Sequence, residues 1–336
     1  MKKPHMLPKA LIVMYSNAVD QVYYPELRRQ MANRMVMLAP PLGADELPAR
    51  SDLLAQAEVI FGSWGLPRLD DSLLNIAQRL RAIFYAAGTI RNWITDAVWD
   101  RNIIVCSAYA ANAQPVAEYT LATMIFSLKQ GWRYTLGTKR LGHYPNRIAC
   151  AGAFHSKVGL ISLGMVARLV CERLKNFDLQ VLAYDPYAAP EEAMALGVKL
   201  VSLEEIFSEC DVVSLHTPSL NETKGMITGR HFEAMRSGAT FINTARGEVV
   251  NEQDLIETFI RRQDLTAVLD VTDPEPPVKD SPLYSLPNVV LTPHIAGSLD
   301  GECGRLGQLM VEEFNRWQNG IPLLWQITRE KAATMA

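Results

Sequence analysis

Arg246, Glu275 and His294 each stand shortly after a short apolar run in the second half of the chain, the runs being 240–243, 267–269 and 289–291. A planar guanidinium grips a carboxylate through two parallel hydrogen bonds and polarises a neighbouring carbonyl. An imidazole exchanges protons near neutral pH, and a carboxylate on its other nitrogen fixes its tautomer. If the three runs are neighbouring strands of one parallel sheet, all three side chains reach the same carboxyl edge. Taken singly, each has a plainer reading: a loop ion pair for Arg246, a solvated group in a proline-rich loop for Glu275, a structural loop histidine for His294.

A second pattern supplies a place for a cofactor. Residues 157–187 spell strand, helix, strand, with the turn Ser162-Leu163-Gly164-Met165-Val166-Ala167 between the first two elements. Glycines in such a turn let the backbone approach a pyrophosphate, whose charge rests on the helix N-terminus. Of the three fingerprint glycines only Gly164 is present, with Ser162 and Ala167 at the outer positions. Asp185 follows Gly164 by twenty-one residues, where a carboxylate accepts hydrogen bonds from a ribose diol and repels a 2′-phosphate, which favours NAD over NADP. An ordinary βαβ unit ending in an Asp-Pro turn is the plainer alternative.

Elements that would position these groups recur along the chain. Apolar runs at 9–15, 35–38, 59–61, 82–86 and 103–105 alternate with helix-like segments such as 45–56 and 70–78. A long apolar helix is expected from Pro115 to Tyr134, with proline in its first turn. Further strand candidates lie at 181–184, 198–201 and 212–215, and a helix at 301–317. Alternating short strands and helices imply α/β architecture with doubly wound parallel sheets. The ends after 59–61 and 82–86 carry Trp64 and the turn Ala87-Gly88-Thr89, which reads either as successive N–H groups suited to an anion or as a plain glycine turn.

At 336 residues the chain exceeds what one core usually supports, so two domains are expected. A net charge of −3 gives no footprint for nucleic acid or an anionic membrane. Between Glu118 and Glu172 there is no acid, while Lys129, Arg133, Lys139, Arg140, Arg147, Lys157 and Arg168 fall there. That stretch reads either as a solvated helix and loop or as a lure for anionic ligands. Cys106, Cys150, Cys171, Cys210 and Cys303 lack C-x-x-C spacing, so no metal site is expected and a reducing cytoplasm fits. Lys2, Lys3 and Lys9 precede an apolar run too short for a signal peptide, and no stretch reaches the length of a membrane span.

The segments NTARG, LDVTDPEPP and TPHIAG, in this order after a dinucleotide unit, resemble the motifs of the D-2-hydroxyacid dehydrogenase family, which includes phosphoglycerate dehydrogenase and the hydroxypyruvate and glyoxylate reductases. The resemblance covers nearly the whole chain, and ANAQPVAE resembles that family's interdomain helix start. It implies a Rossmann-type NAD-binding domain at 108–298 inserted into a discontinuous, flavodoxin-like substrate domain at 1–107 and 299–336. It implies an NAD-dependent oxidoreductase interconverting a 2-oxo acid and a D-2-hydroxy acid, with Arg246 on the substrate carboxylate and carbonyl, His294 as acid/base and Glu275 as its partner. Cofactor contacts are implied for Ser162, Gly164, Met165, Val166, Asp185, His216, Thr217, Pro218, Thr223, Thr244, Ala245, Asp270 and Gly297, with Asp270 by the nicotinamide. Substrate contacts are implied for Trp64, Ala87, Gly88 and Thr89, and a homodimer through the cofactor domain.

The chain departs from the family pattern at Ser162 and Ala167, at Thr272-Asp273, where an aromatic and a glutamate are common, and at Thr89-Ile90-Arg91-Asn92-Trp93. Arg91 and Trp93 read either as tuning the site to a larger or more acidic substrate or as surface residues. Two rival activities belong to the same resemblance: an NAD-sensing interaction protein similar to transcriptional corepressors, and formate dehydrogenase. Glu275 argues against the latter, whose histidine pairs with glutamine. Control through a C-terminal regulatory domain is not expected, because the chain ends soon after Trp317.

Overall fold

The computed structural model describes residues 7–335; Lys2, Lys3 and the outermost ends of the expected substrate domain lie outside the described residues. Strands β1 (Lys9–Val13), β2 (Val36–Met37), β3 (Val59–Gly62), β4 (Ala82–Tyr85) and β5 (Ile104–Ser107) come first. They are followed by β6 (Phe154–Ile161), β7 (Asp178–Tyr184), β8 (Lys199–Leu200), β9 (Val212–Leu215), β10 (Thr240–Asn243), β11 (Thr266–Leu269), β12 (Val289–Leu291) and, near the end, β13 (Gln326–Ile327). Among the described residues five helices run ten residues or longer: α1 (Tyr109–Leu128), α2 (Gly131–Leu141), α3 (Met165–Leu174), α4 (Glu252–Arg261) and α5 (Cys303–Gln318). None is long and apolar enough to cross a membrane.

The chain divides into two compact units, one made of Met1–Asn112 with Ser298–Ala336, the other of Ala113–Gly297. The breaks therefore fall at Asn112/Ala113 and Gly297/Ser298 rather than at 107/108 and 298/299.

In the first unit a six-stranded sheet runs β13-β5-β4-β3-β1-β2, parallel except where β13 meets β5. Its central strands β3 and β4 are buried on both faces, as a parallel sheet covered by helices requires. Helix α5 returns to this sheet and places Phe314 against Phe61 and Phe84, at ring-centre distances of 5.5 and 5.8 Å. Truncating a buried phenylalanine costs about 3–5 kcal/mol, so this cluster ties the C-terminal segment to the N-terminal sheet. A side chain at Gly307 would meet Val22 O at 2.0 Å, which is why α5 carries glycine where it crosses the first helical turn.

In the second unit seven strands run β12-β11-β10-β9-β6-β7-β8, all in parallel pairs. The order reverses between β6 and β9, so a crevice opens beyond their carboxyl ends. Phe207, Phe232, Phe241 and Phe259 fill one face of this sheet, and Val158, Leu160, Val170 and Leu174 the other.

Several expected elements differ. The helix expected to start at Pro115 begins six residues earlier and holds Pro115 inside it. It stops at Leu128, and Gln130, at φ 55°, turns the chain into the separate helix α2. Residues 45–56 form short turns instead of one helix, and only Ser51–Leu54 is α-helical. All five cysteines are free thiols; Cys150 alone is exposed, in the connection between α2 and β6.

Candidate functional site

The cofactor crevice is built at the end of β6. Ser162 takes φ 76°, the left-handed conformation that glycine adopts at no cost, so the turn keeps its shape with serine in it. Its hydroxyl lies 2.9 Å from Thr217 Oγ1 at the end of β9, and its N–H donates to Tyr184 O. Gly164 is the N-cap of α3, and no side chain caps that terminus. A Cβ built on Gly164 meets nothing within 4 Å, so the space above the helix N-terminus is open to an anion that a side chain would crowd. Ala167 is fully buried against the sheet, consistent with close helix packing.

Asp185 directly follows β7, but its carboxylate is already engaged. Oδ2 accepts the Leu163 N–H at 2.7 Å, and Oδ1 accepts those of Tyr187 and Ala188 at 2.8 and 3.0 Å. It therefore ties the pyrophosphate-type turn to the segment after β7 while remaining half-buried. On the other side of the crevice His216 is half-buried, and burial pushes its imidazole down to about 4. Thr223 does not point into open space: its hydroxyl donates to Pro218 O at 2.6 Å and accepts Leu220 N, closing the turn after β9.

The chemistry-bearing residues stand beyond three adjacent strands, β10, β11 and β12. His294 Nδ1 lies 2.6 Å from Glu275 Oε1, and both side chains are partly exposed. His294 itself adopts φ 55°. That backbone is held by Asp270, only 2% exposed, whose carboxylate accepts Thr292 Oγ1 at 2.6 Å and the N–H groups of Ile295 and Ala296 at 2.9 Å each. Asp270 O accepts the His294 N–H. Thr292, Ile295 and Ala296, which the Asp270 carboxylate binds, thus all belong to the loop that carries the histidine.

Arg246 is half-buried after β10, with its guanidinium donating to Ala245 O at 2.6 Å. The buried Asn243 amide braces this loop, accepting Ala245 N and donating to Arg246 O. Gly247 then comes so close to the loop bearing Glu275 that a Cβ would lie 2.1 Å from Thr272 C and O. Glu252 on α4 accepts the Asp273 N–H at 3.0 Å, and burial raises its pKa. The strand order and these contacts bring the segments of Arg246, Glu275 and His294 to one sheet edge.

In the first unit, Ser63 Oγ donates to Ala86 O, and Ser107 Oγ to the carbonyls of Ala87 and Gly88. These bonds turn the carbonyls of the Ala87-Gly88-Thr89 turn inward. Trp64 is half-buried at the end of β3. Trp93 is core, 1% exposed, and packs 5.1 Å from Tyr85, which removes it from both readings given above. Arg91 is exposed and its Nε donates to Met335 O. No cluster able to hold a metal ion occurs among the described residues.

Sequence reasoning missed Tyr119, Thr120, Thr292 and Glu252 as parts of this site. Hydroxyls on an apolar helix and an acid on an amphipathic one carry no signal in spacing, because their partners lie far away in the chain.

Residues 122–296 match the family model for the D-isomer specific 2-hydroxyacid dehydrogenase NAD binding domain. A D-3-phosphoglycerate dehydrogenase of Archaeoglobus fulgidus is 33% identical over 257 residues, 76% of this chain and 49% of that protein. One from Mycobacterium tuberculosis is 31% identical over 282 residues, 83% of this chain and 50% of its own. The chain spans about half the length of these curated relatives. A solved D-lactate dehydrogenase of Aquifex aeolicus, complexed with NAD and lactic acid, superposes with a TM-score of 0.71 at 25% identity, covering 93% of this chain and 96% of that one. The chain belongs to the D-isomer specific 2-hydroxyacid dehydrogenase family and carries that family's NAD binding domain.

Proposed function

We propose that the protein interconverts a 2-oxo acid and a D-2-hydroxy acid with NAD. The observation that carries this reading is the 2.6 Å contact between His294 and Glu275 on the same sheet edge as Arg246. The open cradle over Gly164, the uncapped N-terminus of α3 and Asp185 at the end of β7 fit a dinucleotide in the adjacent crevice. When bound, NAD would supply or take up hydride at the substrate's C2. In the reducing direction Arg246 holds the substrate carboxylate and draws charge from the carbonyl, while Nε2 of protonated His294 gives its proton to the forming alkoxide. Glu275, on Nδ1, keeps the proton-bearing tautomer oriented and stabilises the imidazolium. In this reading Trp64 and the Ala87-Gly88-Thr89 turn of the first unit serve the substrate, and Thr244, Ala245, His216, Thr217, Pro218, Thr223 and Gly297 border the cofactor.

The protein is further read as a homodimer. The solvent-facing Phe126 and its neighbours Leu121, Ala122, Ile125 and Phe177 offer an apolar groove on the cofactor unit for a second copy. Its five free thiols accord with the reducing cytoplasm.

The test is a panel of 2-oxo acids (glyoxylate, hydroxypyruvate, phosphohydroxypyruvate and bulkier aliphatic acids) with NADH and NADPH in parallel. Turnover with NADH is expected, and Arg246→Ala and His294→Ala should abolish it while NADH still binds. Unchanged kcat in either variant refutes the assignment. NADH binding without turnover of any acid would favour an NAD-sensing interaction protein.

A further inference from the structure

Helix α1 carries the chain from the first unit, whose first segment ends at Asn112, into the second. Two neighbouring hydroxyls on it have no part in the reaction as described so far. Tyr119 Oη lies 2.9 Å from Thr292 Oγ1, and Thr120 Oγ1 lies 3.0 Å from Thr244 Oγ1.

The direction of the first contact follows from proton counting. Thr292 has one hydroxyl proton and donates it to Asp270 Oδ1, so Tyr119 is the donor to Thr292. Burial pushes the Tyr119 phenol up, with the Asp270 charge acting in the same sense, so the donor keeps its proton across the neutral range. Beyond Thr292 the Asp270 carboxylate takes the N–H groups of Ile295 and Ala296, and its carbonyl takes that of His294. Tyr119 thus heads a chain of side chains that ends on the backbone around the imidazole.

The second contact reaches the other loop. Thr120 is fully buried, and Thr244 lies two residues before Arg246 on a loop otherwise braced by the Asn243 amide. Successive helix residues project about 100° apart, so a single turn addresses both loops.

We propose that Tyr119 and Thr120 are positioning residues: the Tyr119 phenol holds the Thr292–Asp270 clasp beneath His294, and the Thr120 hydroxyl holds Thr244 beneath Arg246. The names of the two loops' tasks rest on the dehydrogenase reading; the two clasps do not. One turn of the helix that links the units thereby sets both the acid–base loop and the carboxylate-binding loop.

Tyr119→Phe and Thr120→Val in the full chain remove one hydroxyl each and keep the packing. Without cofactor, hydrogen exchange should quicken at residues 292–296 in Tyr119→Phe and at 244–247 in Thr120→Val, each leaving the other loop unchanged. In turnover, Tyr119→Phe should lower kcat about five- to tenfold with KM for NADH unchanged, the loss of one net hydrogen bond. Thr120→Val should raise KM for the 2-oxo acid by a similar factor. Tyr119→Phe should be non-additive with Thr292→Val and additive with Thr120→Val, and Thr292→Ser, which keeps the hydroxyl, should stay near wild type.

Exchange unchanged in both loops, or a uniform rise across the unit with kcat and KM intact, overturns the proposal. If the wild-type chain turns over no 2-oxo acid, the dehydrogenase reading falls, while the exchange pattern still decides the clasps.

Discussion

Gly247→Ala offers the sharpest test of how the site is assembled, because one methyl group would be driven between two loops. The added Cβ would sit 2.1 Å from the carbonyl carbon and oxygen of Thr272 and 2.6 Å from Asp273 N. That is roughly 1 Å or more inside van der Waals contact, and the obstacle is backbone, so no rotamer relieves it. The loop bearing Arg246 and the loop bearing Glu275 must separate. Overpacking of this kind costs about 1–3 kcal/mol of stability. A displacement of about 1 Å between reacting groups costs on the order of a hundredfold in rate. The variant should therefore melt lower and lose about two orders of magnitude in kcat/KM for the best 2-oxo acid. Gly164→Ala is its counterpart: its Cβ meets nothing within 4 Å, so the melting temperature should hold while NADH binding weakens. Wild-type kcat/KM in Gly247→Ala would show that the two loops do not act as one assembly.

Asp185→Ala should erode the preference for NADH over NADPH, since the carboxylate both repels a 2′-phosphate and ties down Leu163; a wild type that prefers NADPH would show the stretch misread. Ser162→Gly relieves a left-handed conformation worth about 1–2 kcal/mol but loses the hydroxyl contact to Thr217 and frees the unfolded chain, so urea denaturation should find stability within about 1 kcal/mol of wild type. Ser162→Val keeps the strain, loses the contact and should cost about 2 kcal/mol or more. Burial lowers His216 to about 4, so the fold favours its neutral form, and its contribution, complete above the ordinary value of about 6.5, is lost as pH falls toward the folded value. Because His216 keeps some exposure, that loss is about 2 kcal/mol; His216→Gln should flatten the urea midpoint between about pH 7 and about pH 4, and curves parallel to wild type would refute it.

The alternation of strands and helices was legible because each central strand is a run of apolar residues, such as 212–215 and 240–243, buried on both faces. That Arg246, Glu275 and His294 would stand beyond one sheet edge was legible because each follows a strand by six residues or fewer. Helix α1 was misplaced at its start since proline normally marks a first turn, and nothing in residues 109–114 announces that helix precedes it. The bracing of the His294 loop by Asp270 was not legible, since its bonds to Thr292, Ile295 and Ala296 span 22 to 26 residues, beyond any local pattern. The left-handed Ser162 was legible only from its place at a fingerprint-glycine position, since serine itself has no residue-level mark for that conformation. Strand β13 is two residues long, too short for periodicity to reveal.

The distribution of thiols makes the molecule easy to label. Burial pushes the thiols of Cys106, Cys171, Cys210 and Cys303 up, so at neutral pH they stay protonated and shielded. Cys150 alone meets solvent. A maleimide dye added to the native protein has a single address, between α2 and β6, and a fluorescence reporter can be installed there without removing any cysteine by mutation.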